Sequence, residues 1–124
     1  MITGIGVDIV EVKRMERWLD NSALLNRYFH QEEISLALSR KKSAAQTLAA
    51  RFAAKEAFGK ALGSGLAEIE LKDIIVINND KGKPDIKLIG TAQKAFEKSG
   101  ANRAHISLTH EKKNAVAMIV LERA

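Results

Sequence analysis

The stretch from Ser43 to Gly63 restricts the fold more than any other part of the chain. Its apolar positions, among them Ala45, Leu48, Ala49, Phe52, Ala53, Ala57, Phe58, Ala61 and Leu62, go round almost the whole circumference of a helix. A helix apolar on all sides belongs inside a protein. Ser43 and Gln46 have the spacing of a capping box at its start. Gly63, followed by Ser64 and Gly65, supplies a left-handed stop. The other elements must pack round this helix.

Four charges interrupt it: Arg51, Lys55, Glu56 and Lys60. Glu56 and Lys60 are four apart and share a face with the small residues Ala49 and Ala53. Arg51 and Lys55 share another. An ion pair on a solvated edge is one explanation of Glu56 and Lys60. A ligand or metal at Glu56 is the other, because an ionised group in a buried helix needs a partner and small neighbours leave room for one.

The remaining chain reads as strands and short helices. Ile2–Val10 alternates as a strand, with Thr3, Ile5, Val7 and Ile9 expected on the core face. Gly4, Gly6 and Asp8 fall on the other face, where the glycines clear space beside the carboxylate. Glu11–Asp20 is expected to be a helix with Val12, Met15 and Leu19 inward, Asn21–Phe29 a loop, and Gln31–Leu38 a helix with Ile34, Ala37 and Leu38 inward. Arg40-Lys41-Lys42 is read as a solvated hinge. Leu71–Asn78, a turn over Asn79–Lys83, and a strand from Pro84 make a hairpin. Thr91–Ser99 is a helix stopped by Gly100. Arg103–Thr109 alternates with Ala104, Ile106 and Leu108 inward. Ala115–Leu121, apolar throughout, is expected to be a central strand covered on both faces and paired antiparallel with it. The class is α+β: a mainly antiparallel sheet packed against one long helix. The 124 residues make one domain, 1–124, with a modest core.

The chain has no cysteine, which excludes a disulfide framework and a Cys-based zinc site and fits a cytoplasmic setting. No signal peptide or membrane span is evident, so no membrane partner is expected. The net charge of +5 suits an anionic partner: nucleic acid, a phosphorylated small molecule or an acidic protein. A small nucleic-acid-binding domain would explain that charge, but paired acids in a buried helix and only six aromatic residues argue against it. Asp8 alone could be an edge-strand carboxylate or a helix cap. With Glu56 it forms a pair of hard oxygen ligands that suits Mg²⁺, and Lys60, one turn on, could reach a phosphate held there. Neither a Gly-x-Ser-x-Gly elbow nor a Gly-x-x-x-x-Gly-Lys-Ser/Thr loop is present.

Four motifs stand in order: Gly4-Ile5-Gly6-Val7-Asp8-Ile9-Val10-Glu11, Arg51-Phe52-Ala53-Ala54-Lys55-Glu56-Ala57-Phe58-Gly59-Lys60-Ala61, Gly82-Lys83-Pro84, and His105-Ile106-Ser107-Leu108-Thr109-His110. Together they strongly resemble the holo-[acyl-carrier-protein] synthases, the small bacterial 4′-phosphopantetheinyl transferases, over essentially the whole chain. That resemblance implies a 4′-phosphopantetheinyl transferase-like fold. It also implies Mg²⁺-dependent transfer of the 4′-phosphopantetheine of coenzyme A to a serine of apo-acyl carrier protein, in fatty acid biosynthesis, with adenosine 3′,5′-bisphosphate leaving. By the same resemblance Asp8 and Glu56 hold the metal, Lys60 contacts the pyrophosphate, and Glu56 is the candidate base. Lys83, Pro84 and His105 are expected at the coenzyme. Arg51 is expected to meet a phosphate or an acid such as Glu68 or Glu70. A homotrimer with sites between subunits is expected as well. Lys13, Arg14 and Arg17, with Met15 and Trp18 as apolar contacts, and Arg27 in the following loop are expected to dock the acidic carrier, since the helix Glu11–Asp20 begins just after Asp8. The rival without catalysis is an interaction module, against which the retained Asp8, Glu56 and Lys60 speak.

Overall fold

The computed structural model describes residues 1–124. In chain order it contains β1 (Ile2–Glu11), α1 (Val12–Trp18), α2 (Ser22–Tyr28), α3 (Gln31–Ser39), α4 (Ala44–Leu62), β2 (Ile74–Asn78), β3 (Pro84–Leu88), α5 (Gly90–Lys98), β4 (Arg103–His110) and β5 (Asn114–Glu122). The α+β class holds, but the strands form two antiparallel sheets: β1-β5-β4 and the hairpin β2-β3. The helix α4 lies against β1 and β5 and carries the centre of a continuous apolar core. Gly63 ends α4 with a φ of 82°, in the left-handed region expected of it. Ser43 makes no capping hydrogen bond; a single 3-10 turn, Lys41–Ser43, leads in instead. No helix is long and apolar enough to cross a membrane.

The faces of β1 are the reverse of the expectation. Ile5, Val7 and Ile9 point out, 58%, 55% and 61% exposed, while Gly6 and Val10 are buried. The reason is the surface of α4 beneath them. A Cβ at Gly4 would overlap the Ala61 carbonyl oxygen, and one at Gly6 the Ala57 carbonyl oxygen. Strand backbone and helix backbone therefore touch almost directly, and no branched side chain fits between them.

Turned outward, Ile5, Val7 and Ile9 sit opposite Val120, Met118 and Val116 of β5. Those in turn face His105, Ser107 and Thr109 of β4. The outer face of the larger sheet is thus apolar over two strands. β5 is the central strand, as expected, but it is not covered on both sides: Ala117, Ile119 and Leu121 are buried, whereas Met118 is 43% exposed.

Three smaller corrections concern the helical layer. Asn21–Phe29 is not a loop but α2, whose Asn21 side chain accepts from the Leu24 amide. Leu38 does not point inward; it is exposed, and Glu33 takes the buried position on α3. Leu71–Asp73 forms a 3-10 turn, so the strand begins only at Ile74.

Candidate active site

Asp8 lies on the inner face of β1, two residues beyond Gly6, where the absence of side chains has brought the strand down onto α4. Glu56 and Lys60 come up from the helix on the side next to it. Lys60 Nζ is 3.0 Å from Asp8 Oδ1 and donates to the Val7 carbonyl, also at 3.0 Å. The two residues, 52 apart in sequence, thus meet directly. Glu56 is half-buried and makes no hydrogen bond or salt bridge. Burial raises its pKa, the charge of Asp8 raises it further, and Arg14 and Lys60 oppose the rise.

This arrangement fits a divalent cation. Two carboxylates and a main-chain carbonyl are hard oxygen donors, and the Lys60 ammonium pairs with Asp8 alone, so Glu56 has no hydrogen-bonded cation. No third His, Cys, Asp or Glu joins them, which leaves positions for water and phosphate oxygens, the mixed coordination Mg²⁺ prefers.

Lys83, Pro84 and His105 come together elsewhere. With Asn79, Asp85 and Ile106 they line a pocket of about 180 Å³ between the β2-β3 turn and β4. The His105 Nε2 is 2.9 Å from Glu122 Oε1, and this hydrogen bond holds the Glu122 carboxyl below the usual range. A larger pocket, of about 480 Å³, lies between the turn after α4 and α5, with Leu62, Ile69 and Ala95 among its walls; none of the expected site residues lines it.

Arg51 meets neither Glu68 nor Glu70. It is 2% exposed, and its Nη2 lies 3.3 Å from the Asn78 amide oxygen at the start of the hairpin turn. With the Asn78 amide turned over, its oxygen accepts from Arg40 at 3.0 Å instead and its nitrogen donates to the Ile77 carbonyl, so Arg51 and Arg40 correspond to alternative orientations of one amide. The Arg51 Nε is buried without a partner. Burial lowers the Arg51 pKa, and the Glu33 carboxylate counters it.

The expected docking residues form a partial group. Lys13, Arg14 and Arg17 are exposed on α1, and Arg27 is exposed near the end of α2. Arg14 is not free: its guanidinium lies 5.3 Å from the Trp18 ring and 4.9 Å from Phe52. Trp18 stacks on Tyr28 and stays partly exposed. Met15 is fully buried and offers no contact surface.

Sequence reasoning missed one charged cluster altogether. Lys55 is completely buried and donates to Glu33 Oε1 at 2.7 Å, to the Leu71 carbonyl at 2.8 Å, and to the Ile74 carbonyl. Glu33 also accepts from the His30 and Val76 amides. Burial lowers the Lys55 pKa, with Glu33 opposing. The available signal was a lysine inside an apolar helix, which demands a buried acid somewhere; nothing local says which one.

Comparison with known proteins adds a consistent set of relatives. Residues 4–118 match the family model of the 4′-phosphopantetheinyl transferase superfamily. The chain is 55% identical over 122 residues to the holo-[acyl-carrier-protein] synthase of Treponema denticola, covering 98% of this chain and 99% of that one. It is 48% identical to the corresponding protein of Treponema pallidum over 98% of this chain and 97% of that one. Among solved structures, a holo-(acyl-carrier-protein) synthase from Bacillus anthracis in complex with CoA superposes with a TM-score of 0.83 at 38% identity, covering 100% of this chain and 99% of the other. The Neisseria meningitidis synthase gives 0.86 at 34% identity, over 98% and 99%.

Proposed function

The chain belongs to the 4′-phosphopantetheinyl transferase superfamily, and on that premise we propose that it is a holo-[acyl-carrier-protein] synthase whose reaction is run by Asp8, Glu56 and Lys60. It moves the 4′-phosphopantetheine arm of coenzyme A onto a serine of apo-acyl carrier protein, the step that readies the carrier for fatty acid synthesis in the cytoplasm. The observation that carries this reading is the meeting of Asp8, Glu56 and Lys60 where Gly4 and Gly6 let β1 close directly onto α4.

In this reading the carrier serine oxygen forms a bond to the pantetheine-side phosphorus. The bond from that phosphorus to the bridging oxygen breaks, and adenosine 3′,5′-bisphosphate leaves. Lys60, more than half exposed, binds the pyrophosphate oxygens and offsets charge that grows there. Glu56 takes the serine proton; burial and the neighbouring Asp8 charge raise its pKa, which makes it a better base than an ordinary glutamate. Asp8 and Glu56 would hold Mg²⁺, which when bound supplies Lewis-acid stabilisation of the phosphoryl oxygens. The pocket at Lys83, Pro84 and His105 suits the nucleotide end, and Arg51 supports its hairpin wall through Asn78.

Arg14, Lys13, Arg17 and Arg27 face the carrier, with Trp18 as the apolar contact. Arg14 lies close enough to Glu56 to lower its pKa, so a carrier gripped there arrives beside the proposed base. The assembly is a homotrimer. The trimeric number comes from the resemblance to the small synthases, and the outward apolar row of Ile5, Val7, Ile9 and Met118 supports burial against another chain. His105 lies on that same face, which suits a site shared between subunits.

The test is the intact mass of apo-acyl carrier protein after incubation with this protein, coenzyme A and Mg²⁺. One phosphopantetheinyl adduct, abolished by EDTA, is expected. An unmodified carrier, where a reference transferase modifies it, overturns the proposal. Sedimentation showing an active monomer overturns the trimer alone.

A further inference from the structure

Lys60 has two partners, and both are on β1: the Asp8 carboxylate and the Val7 carbonyl, each at 3.0 Å. It is the sole hydrogen-bonding partner of the Asp8 side chain, and Glu56 has none. The ammonium thus rests against the oxygens that a cation between Asp8 and Glu56 would use. A divalent ion arriving there meets a positive charge already in place, and either displaces it or binds beside it against repulsion.

The lysine is built to leave. Its side chain is 57% exposed, so solvent lies open on its far side. Only the lysine end of the pair is exposed, Asp8 being 19% exposed; water competes for the ammonium, and a four-carbon stem lets the charge swing without moving the backbone. What would draw it away is another dense anion nearby, and a pyrophosphate is one.

We propose that Lys60 is a displaceable counter-ion of Asp8 that makes divalent-metal binding depend on the coenzyme. This rests on the reading of Asp8 and Glu56 as the metal pair. In the free protein the ammonium blunts metal affinity. When the pyrophosphate of coenzyme A binds, Lys60 transfers to it, keeps a charge partner throughout, and uncovers the Asp8 oxygen. Metal and coenzyme therefore strengthen each other's binding. Linkage makes the strengthening reciprocal, and such couplings commonly run from about 5-fold to 150-fold. The metal site fills together with the substrate rather than in advance of it.

The test uses Mn²⁺ as the metal probe, followed by electron paramagnetic resonance of the free ion, with the intact protein and no carrier present. Lys60→Met is compared with wild type and with Lys60→Arg, which retains the charge; circular dichroism checks that each is folded. Without coenzyme A, Lys60→Met is expected to bind Mn²⁺ about tenfold more tightly than wild type, and Lys60→Arg to stay near wild type. Adding coenzyme A should strengthen Mn²⁺ binding more in wild type than in Lys60→Met. Asp8→Ala should abolish binding in either background. If Lys60→Met binds Mn²⁺ no more tightly than wild type while binding still requires Asp8, the counter-ion role is wrong and the metal pair stands. If no variant binds Mn²⁺ even with coenzyme A, the metal pair itself is wrong and this proposal falls with it.

Discussion

Lys55 and Glu56 are neighbours in sequence on one helix, yet they belong to two different kinds of charged cluster. On one face of α4, Lys55 and Glu33 are fully buried, and each has several hydrogen-bond partners. On the other, Glu56 has no partner, Asp8 has one, and Lys60 is half in water. The first cluster is complete and leaves nothing for a ligand to do. The second leaves a partly buried carboxylate, Glu56, with no hydrogen-bond partner, and a cation arriving there would give it a partner. Residue type does not separate them; the completeness of the partners does.

The comparison breaks most sharply under single substitutions. Asp8→Ala or Glu56→Ala should lower kcat/KM for phosphopantetheinyl transfer by at least about a hundredfold, while circular dichroism and melting temperature stay near wild type. Full activity in either variant would remove that acid from the metal pair, and unfolding would move it into the structural class. Lys55→Met should do the opposite. It strands a buried carboxylate, for which a loss of about 3–5 kcal/mol is expected in denaturant unfolding, while the folded fraction keeps its turnover. The double variant Glu33→Met with Lys55→Met should recover only part of that loss: it removes the stranded charge, but the Val76 amide and the Leu71 and Ile74 carbonyls lose their side-chain partners.

A finer distinction comes from pH. The folded pKa of Glu56 is raised above its unfolded value. The metal-free folded state therefore holds this proton more tightly, and the stability it contributes is full below the ordinary glutamate range and lost as pH rises through the raised value. Glu56→Gln in EDTA should accordingly melt a few degrees higher than wild type at neutral pH, with the gap closing in acid. A gap that persists in acid would show that charge is not its cause. The smallest effect is expected at Arg14→Glu: the KM for carrier protein should rise several-fold at low ionic strength and less at high salt, with the KM for coenzyme A unchanged. Equal damage to both substrates would place Arg14 with Glu56 instead of with the carrier.

Much of this was legible in the sequence, for local reasons. The Gly63 stop, the hairpin across Asn79–Lys83, and the pairing of β4 with β5 follow from turn residues and periodicity. The candidate site was legible because its acids stood in unusual surroundings. The orientation of β1 was not, because alternation separates two faces without saying which is inside; Ile5, Val7 and Ile9 look like core until the alanine surface of α4 is known. The same ignorance made β5 look covered on both sides. α2 was hidden by the polar opening Asn21-Ser22, although Asn21 is a good cap and Leu25 recurs four residues later at Phe29. The Glu33–Lys55 pair spans 22 residues, and no local pattern announces a partner at that distance.

The packing of Gly4 and Gly6 on Ala57 and Ala61 has one more consequence. Glycine and alanine have no rotamers to freeze, so this contact forms without loss of side-chain freedom. It also has no rotamers with which to adjust. The gap between Asp8 and Glu56 is therefore gauged by peptide against peptide, like a fixed spacer. A larger residue at Gly6 cannot be absorbed by neighbours shifting their side chains; it must lift the strand from the helix and widen the gap. Drift in sequence should then be slow at these four small positions for a reason that involves no chemistry of their own: they set a length.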